Sequence, residues 1–350
     1  MNCFFGAANT ENGFFSVFDE IFSPEVFRRI YILKGGPGTG KSTFLRAIGA
    51  EAEKRGFSPE YIICSSDPRS LDGVILPELS AAIFDGTAPH TAEALYPGAV
   101  EQTIHLEDAF DISFLQKKRE VIRALLEEKK KTYASAYQYL SAAGVMEREK
   151  DGILSSLFLE EKADGAIGRL LSFLHEKQKG KEKHRYLSAI TGEGLVRLDT
   201  LWHRAKKIYA VTDFHGLGYF FMQKLYRKLS SREIGMTVCA DPLMRIHTEA
   251  IFLEKEEILF VVSKVPYVRT PDKIINSERF VCKEALSVQR KSLRCAEKCE
   301  AGLLQGAYDS LARATAFHRK AEAIYGSAVD FSKVDAIREK FLSEIFANNM

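Results

Sequence analysis

The chain has 350 residues, a hydrophobic content of 46% and a formal net charge of +2 at pH 7. This length has room for about two domains, and the near-neutral charge excludes a polybasic nucleic-acid binder, so nucleic acid is not an expected partner. No apolar run approaches the roughly 20 residues of a membrane helix, and the first residues lack the positive segment of a signal peptide, so we expect a cytoplasmic protein without a membrane span.

The first motif along the chain is a glycine-rich loop between a predicted strand and a predicted helix. Residues 29–34 are an apolar run typical of a buried strand, and residues 43–48 begin a helical pattern. Between them, residues 35–42 read GGPGTGKS and fit the phosphate-binding pattern G-x-x-x-x-G-K-[ST] of P-loop proteins. Such a loop points successive backbone N–H groups at one anion, and the helix N-terminus adds its positive dipole end.

Each residue of this motif has a predicted role in binding Mg-ATP. Glycines let the backbone approach an anion without a clash from Cβ. Lys41 is expected to reach the β- and γ-phosphates, and Ser42 is expected to hold Mg²⁺ with its hydroxyl. A chance glycine-rich turn is the competing interpretation, which the strand–loop–helix context disfavours. The predicted nucleotide-binding residues are Gly35, Gly36, Pro37, Gly38, Thr39, Gly40, Lys41, Ser42 and Thr43.

A second candidate follows the strand predicted at residues 60–64. In open parallel sheets, ligands bind beyond the carboxyl ends of the strands, so the loop at 65–73 is placed to face a γ-phosphate or a second substrate. Asp67 is a candidate catalytic base or water-positioning group, and Arg69 is a candidate for stabilising phosphoryl charge. The alternative for Asp67 is an Asp-Pro turn, which the recurrence of Asp-Pro at residues 241–242 favours.

A third candidate is Asp85, which ends the apolar run predicted as a strand at residues 80–84. P-loop proteins use an acidic residue in this position to orient Mg²⁺, so we assign Asp85 to the metal together with Ser42, and to catalysis together with Lys41 and Asp67. The alternative for Asp85 is a turn or helix-cap aspartate before Gly86. In the following loop, His90 is a weaker candidate, because a lone loop histidine is more often a surface residue.

The second half of the sequence reads as an altered copy of the first. Residues 5–13 can be laid on residues 186–194, and Cys64 and Asp67-Pro68 then fall on Cys239 and Asp241-Pro242 in the same order. Chance similarity is the competing interpretation. In this alignment Lys41 becomes Tyr219 and Ser42 becomes Phe220. Two aromatic rings cannot neutralise a triphosphate or hold Mg²⁺, so the second copy is predicted not to bind nucleotide.

Helical patterns fill the remainder of each half. They cover residues 111–140 and 153–177 in the first half and residues from about 277 to 346 in the second. These helices are predicted to be a lid, a partner surface, an oligomer contact or a shell over the sheets. The predicted organisation is a P-loop nucleotide-binding unit at 1–110, a helical insertion at 111–183, a degenerate second P-loop-like unit at 184–270 and a helical C-terminal region at 271–350.

Four stretches, at residues 32–43, 64–68, 71–74 and 84–90, resemble a bacterial family of tandem P-loop proteins described as ATP-binding proteins or ATPases. The similarity is dense in the first 110 residues and thin in the second half. It implies ATP binding and does not supply a substrate. In that family the second copy often keeps a P-loop, and this chain departs from the pattern there.

The expected fold is therefore α/β, with a duplicated P-loop NTPase-type parallel sheet and helical insertions. The expected function is that of a Mg-ATP-binding protein, with ATP and Mg²⁺ as cofactors. As an ATPase it would couple hydrolysis to a conformational change or to an unknown protein or small-molecule partner. Two alternatives are a small-molecule or nucleotide kinase, whose fast turnover needs an acceptor, and an ATP sensor without turnover.

Overall fold

Two six-stranded sheets flanked by helices form the framework of the computed structural model, which describes residues 2–174, 180–263 and 267–347. The elements of the first half are β1 (Asn2–Phe5), β2 (Ala7–Thr10), β3 (Gly13–Ser16), α1 (Phe18–Ile21), β4 (Arg29–Lys34), α2 (Lys41–Lys54), β5 (Glu60–Ile63), β6 (Leu71–Leu76), β7 (Ala81–Asp85), β8 (Glu101–His105), α3 (Ile112–Lys117), α4 (Arg119–Ser155) and α5 (Glu160–Leu170).

The elements of the second half are β9 (Glu182–Arg185), β10 (Ser188–Thr191), β11 (Gly194–Arg197), α6 (Thr200–Arg204), β12 (Lys207–Thr212), α7 (Leu217–Ser230), β13 (Met236–Ala240), β14 (Thr248–Leu253), β15 (Ile258–Ser263), β16 (Lys273–Ile275), α8 (Lys283–Gly326) and α9 (Phe331–Ala347). Short 3-10 turns at Pro77–Leu79, Glu107–Ala109 and Ser277–Phe280 complete the described elements. Within the described residues, no helix has both the length and the apolar character that crossing a lipid bilayer demands.

The two sheets have the same topology, which supports the predicted duplication. The strand order is β1-β5-β6-β7-β4-β8 in the first unit and β9-β13-β14-β15-β12-β16 in the second. The first strand of each sheet is followed by a β-hairpin, formed by β2 and β3 in the first unit and by β10 and β11 in the second. In each sheet five strands share one direction. One strand, β6 or β14, runs against both of its neighbours.

The expected parallel sheet is confirmed only in part, because both sheets are mixed and one strand in each runs against the other five. The connection from β6 to β7 consists of the single 3-10 turn Pro77–Leu79 and Ser80. A parallel neighbour needs a crossover of a dozen or more residues, so a connection this short forces the two strands to run antiparallel. The α/β class and the predicted strands at β4, β5, β7 and β15 are confirmed.

The two units meet where Phe5 of the first unit pairs with Tyr186, the equivalent residue of the second unit. Phe5 and Tyr186 exchange two backbone hydrogen bonds, with N···O distances of 2.9 and 3.0 Å. These are the residues that the sequence alignment pairs, and both are buried. A residue that pairs with its counterpart lies beside a two-fold axis. One hydrophobic cluster, containing Phe4, Phe18 and Trp202 among its members, spans both units.

The helices α4 and α8 pack against each other in antiparallel orientation. At one end the Asp111 N–H, before α4, donates to the Ala328 carbonyl after α8, at 2.7 Å. At the other end the Cys282 N–H, before α8, donates to the Leu157 carbonyl after α4, at 3.2 Å. The buried positions of α8 recur at heptad spacing, as in a coiled coil. They include Leu286, Leu293, Ala307, Ala314 and Ala321.

As a result of this packing, each long helix carries the next helix onto the opposite unit. The helix α9 packs on the first sheet, where the Phe341 ring lies 4.7 Å from that of Tyr31 and 5.7 Å from that of Phe44. The helix α5 packs instead on the second unit, where Ala163 and Ile167 join the core beneath α7. The C-terminal helix thus completes the hydrophobic core of the first unit.

Removing this docking contact is expected to destabilise the protein. Phe341 is 5% exposed, so Phe341→Ala should lower the unfolding free energy by about 3–5 kcal/mol, the usual cost of truncating a buried phenylalanine. Phe331→Ala, in the same helix at a residue 47% exposed, serves as the matched control and should cost about 1 kcal/mol or less. Urea denaturation followed by circular dichroism measures both. Equal effects of the two substitutions would contradict the docking of α9.

Candidate functional site

The glycine-rich loop, residues 35–40, connects the end of β4 to the start of α2. Gly38 and Gly40 have φ angles of 72° and 84°, in the left-handed region that favours glycine, and Gly40 is the N-cap of α2. The backbone N–H groups of the first turn of a helix have no partner within that helix. The loop and the 14-residue helix α2 therefore provide the local arrangement of an anion site.

Lys41 lies at the mouth of the loop and is held by three acceptors. Its Nζ donates to the carbonyls of Gly35 and Gly36, at 2.6 and 2.8 Å. It also lies 3.6 Å from Oδ2 of Asp85. This approach follows from the sheet, because β4 and β7 are parallel neighbours and Leu33 lies opposite Asp85. The structure thus brings together Lys41 and Asp85, two of the predicted site residues.

Asp85 lies close to Lys41, as predicted for a site residue, and it also makes the hydrogen bonds of a turn residue, which was the alternative interpretation. Its Oδ1 accepts hydrogen bonds from the Thr87 N–H, at 2.9 Å, and from the Thr87 hydroxyl, at 2.6 Å. Its Oδ2 faces Lys41. Burial raises the pKa of Asp85 above its usual range, although Lys41 and Thr87 oppose the shift. One oxygen therefore fixes the turn and the other remains directed at the ammonium group.

Ser42, the second predicted metal ligand, lies in the first turn of α2. Its Oγ accepts a hydrogen bond from the Leu71 N–H at 2.9 Å, which ties the helix to the start of β6. The Thr39 hydroxyl donates to the Gly36 carbonyl at 2.9 Å and so stabilises the loop. Serine and aspartate oxygens suit Mg²⁺, and Ser42 and Asp85 lie at the same edge of the sheet.

Asp67 occupies a different environment, in a turn at the contact between the two units. Its Oδ1 accepts from the backbone N–H and from Nε of Arg69, at 3.3 and 3.1 Å. Arg69 also lies 3.4 Å from Glu193 in the second hairpin. Within the described contacts Asp67 touches neither Lys41 nor Asp85. The turn interpretation describes its local geometry, and a catalytic role for Asp67 stays a prediction.

A buried aspartate that sequence reasoning did not select lies near Asp85. Asp72 occupies a β-bulge in β6, and its Oδ2 is 3.3 Å from Nε2 of His90. His90 is stacked on Phe18 at 3.9 Å, so the expectation of a surface histidine was wrong. A signal was present in the sequence, because an acid interrupts the apolar strand β6. The same interruption occurs as Glu249 at the equivalent bulge of β14.

The last turn of α8 covers the glycine-rich loop. A Cβ atom at Gly38 would lie 2.5 Å from the Glu322 carbonyl oxygen, and one at Gly36 would lie 3.3 Å from the Tyr325 ring. One turn earlier, His318 lies 3.3 Å from Glu322 and 3.0 Å from Nζ of Lys129 on α4. Burial lowers the pKa of Lys129. Lys129 therefore lies in the interface between α4 and α8.

The second unit fills the equivalent anion position with its own carboxylate. Its loop between β12 and α7 has four residues, 213–216, where the first unit has six. Oδ1 of Asp213 accepts hydrogen bonds from the N–H groups of Gly216 and Gly218, both at 3.1 Å. The helix starts align Lys41 with Leu217 rather than with Tyr219. Asp213 thus already pairs with these two amides, and the lack of nucleotide binding in this unit stays a prediction.

No family model matches the chain, and searches of curated proteins and of solved structures find no match. The functional interpretation therefore depends on the residues and geometry described above. The resemblance to tandem P-loop proteins stays a prediction.

The close contact between the glycine-rich loop and α8 can be tested with one added methyl group. Gly38→Ala introduces a left-handed alanine, which costs about 1–2 kcal/mol, and also a clash with the Glu322 backbone. Gly56→Ala is the matched control, because Gly56 has φ 84° and open space around it. Thermal and urea denaturation should show the larger loss for Gly38→Ala. Equal losses would mean that α8 does not pack against the loop.

Proposed function

We propose that this protein binds Mg-ATP at the glycine-rich loop and couples ATP hydrolysis to a movement of α8 and α9. The observation that carries the proposal is the meeting of Lys41, Asp85 and the N-terminus of α2 at one edge of the sheet. An ammonium group, unpaired helix amides and a nearby carboxylate are the groups that bind a nucleotide phosphate and its magnesium ion.

The contacts of Lys41 are ones that a phosphate group can replace. Its ammonium group donates to two neutral backbone carbonyls, those of Gly35 and Gly36. A phosphate oxygen carries negative charge, which adds an ion-pair attraction that the neutral carbonyls lack, so it competes well for the same donors. Ser42 and Asp85 would hold the Mg²⁺ ion, and the bound nucleotide would supply the γ-phosphoryl group.

The coupling part of the proposal follows from where α8 begins and ends. Its last turn touches Gly38, and its first residue, Lys283, lies beside the second unit. At 1.5 Å per residue, its 44 residues span about 66 Å. The 2.5 Å between a Cβ on Gly38 and the Glu322 carbonyl leaves no free space between the loop and the helix. A rearrangement of the loop would therefore displace α8.

The cleft beside Asp67 does not favour the kinase alternative. It has a volume of about 110 Å³ and is lined by residues of the first unit, of the second hairpin and of α8. Small-molecule sites usually measure roughly 300–1,000 Å³. The space next to Asp67 and Arg69 is smaller than this range, and a water molecule fits it. The geometry therefore supports water as the phosphoryl acceptor more than a metabolite.

Substitution of the loop lysine tests nucleotide binding. Lys41→Ala should weaken ATP binding by about 10- to 150-fold, which corresponds to the roughly 1.5–3 kcal/mol of a hydrogen bond to a charged group. Lys54→Ala is the matched control, because Lys54 ends the same helix and is 75% exposed in its side chain. Titration calorimetry with Mg-ATP measures both. An unchanged affinity in Lys41→Ala would overturn the assignment of the site.

Phosphate release distinguishes hydrolysis from the two alternatives. The purified chain should release phosphate from Mg-ATP without any added acceptor, and Asp85→Asn should reduce this rate while Lys54→Ala does not. Turnover that appears only after a metabolite pool is added would identify a kinase. Tight binding without turnover in either assay would identify a sensor.

For the coupling, amide hydrogen exchange of residues 318–331 should change on Mg-ATP binding in the wild type and not in Lys41→Ala.

A further inference from the structure

A group of metal-ligating side chains lies where the end of α4 meets the second unit, outside the site described above. Glu147 and Asp151 lie one turn apart on the same face of α4, and His247 lies in the loop before β14. One ligand atom from each of the three residues can be chosen so that all lie within 4.8 Å of one another. Nε2 of His247 lies 2.8 Å from Oδ2 of Asp151. A metal ion bound between them would have three protein ligands.

Two carboxylate oxygens in this group are buried without a hydrogen-bond partner among the described residues. They are Oε2 of Glu147 and Oδ1 of Asp151. An unpaired buried carboxylate oxygen is costly, so each such atom calls for a cation or a donor. Lys150 donates to Oε1 of Glu147 at 2.7 Å, and a donor brought to Oε2 would satisfy Glu147 alone. Oδ1 of Asp151 would remain without a partner.

Three carboxyl groups in this region, those of Glu147, Asp151 and Glu300, face one ammonium group and one imidazole in the described contacts. Lys150 Nζ lies 2.7 Å from Oε1 of Glu147 and 2.6 Å from Oε2 of Glu300, so one ammonium group faces two carboxylates. The third carboxylate, Asp151, faces only His247 in the described contacts. A divalent cation would balance the remaining charge.

The internal symmetry gives an independent reason to expect a cation here. Two isolated β-bridges, Phe110–Val329 and Phe158–Val281, are related by the internal symmetry. Val281 lies 171 residues after its counterpart Phe110, and Val329 lies 171 residues after its counterpart Phe158. The same spacing relates positions in α4 to positions in α8. The pairs that result are Lys129 with Glu300, Glu147 with His318, and Asp151 with Glu322.

The two ends of the helix pair therefore differ in charge at two of the three equivalent positions, since Glu322 and Asp151 are both acidic. Near the glycine-rich loop, His318 contacts both Lys129 and Glu322. At the other end all three equivalent positions are carboxylates, and His247 is added from the second unit. A group of three carboxylates attracts a cation more strongly than the mixed group at the other end does.

The metal-ligating group opens onto a cleft. Asp151 and His247 line a cleft of about 440 Å³, within the usual size range of ligand pockets. Tyr219 stacks on the His247 ring, with centroids 4.6 Å apart and planes 14° apart, and so fixes the imidazole orientation. Lys224 and Arg227 lie on the walls of the same cleft. A ligand with an anionic group could thus reach an open coordination position.

We propose that Glu147, Asp151 and His247 bind one divalent first-row transition metal ion, with a coordination position open to this cleft. One imidazole and two carboxylates form a ligand set that suits Zn²⁺ or Mn²⁺. Mg²⁺ takes mainly oxygen ligands in near-ideal octahedral geometry, so the imidazole disfavours it. The site would bind its ion without nucleotide, since it lies in the unit whose loop is closed by Asp213.

The test uses the full chain without nucleotide. The protein is treated with a chelator, dialysed and titrated with MnCl₂ or ZnCl₂ by calorimetry, with electron paramagnetic resonance as a second readout for Mn²⁺. We expect one ion per chain. Asp151→Asn and Glu147→Gln should each weaken binding by about 10-fold or more, since loss of a ligand costs at least as much as loss of an outer partner. Excess MgCl₂ should not displace the ion.

The matched control is a second His–Asp pair on the protein surface. His203 and Asp199 lie 2.9 Å apart, are exposed and have no third ligand in the described metal-ligating groups. Asp199→Asn should bind metal like the wild type, and so should Lys41→Ala, which separates this site from the ATP site. Circular dichroism verifies that each variant folds. Absence of saturable binding to the wild type, or equal binding by Asp151→Asn and Asp199→Asn, would overturn the proposal.

Discussion

The antiparallel packing of α4 against α8 is the constraint on which the rest of the structure depends. Each helix starts beside one unit and ends beside the other, because the chain enters α4 from the first sheet and α8 from the second. In this arrangement α9 packs into the core of the first unit and α5 packs into the core of the second. Neither sheet closes its own hydrophobic core, so the two units depend on each other for stability.

The same helix pair places the two candidate sites at opposite ends of one rigid element. At one end the last turn of α8 lies on the glycine-rich loop, and at the other the last turns of α4 contribute Glu147 and Asp151. Two units of the same topology thus carry two different polar clusters. The proposed functions differ because the charges at equivalent positions differ, although the backbone arrangement is the same.

Local features of the site were within reach of sequence reasoning, and long-range ones were not. The glycine-rich loop and the strand before it are set by backbone conformations that neighbouring residues determine. Asp85 was found because an acid at the end of an apolar strand is a local pattern. The antiparallel direction of β6 was missed, although a short connection to β7 implies it. The burial of His90 was missed because its partners Phe18 and Asp72 belong to other elements, which only the fold brings together.

By itself the sequence determined the α/β class, the repeat and the loop that points helix amides and Lys41 towards one place, since these depend on residue types a few positions apart. Only the tertiary structure decided the rest. It brought Asp85 to Lys41, placed Asp213 over the amides of the second helix and assembled Glu147, Asp151 and His247. Those contacts join residues from separate elements, and their formation depends on how strands and helices pack rather than on any local preference.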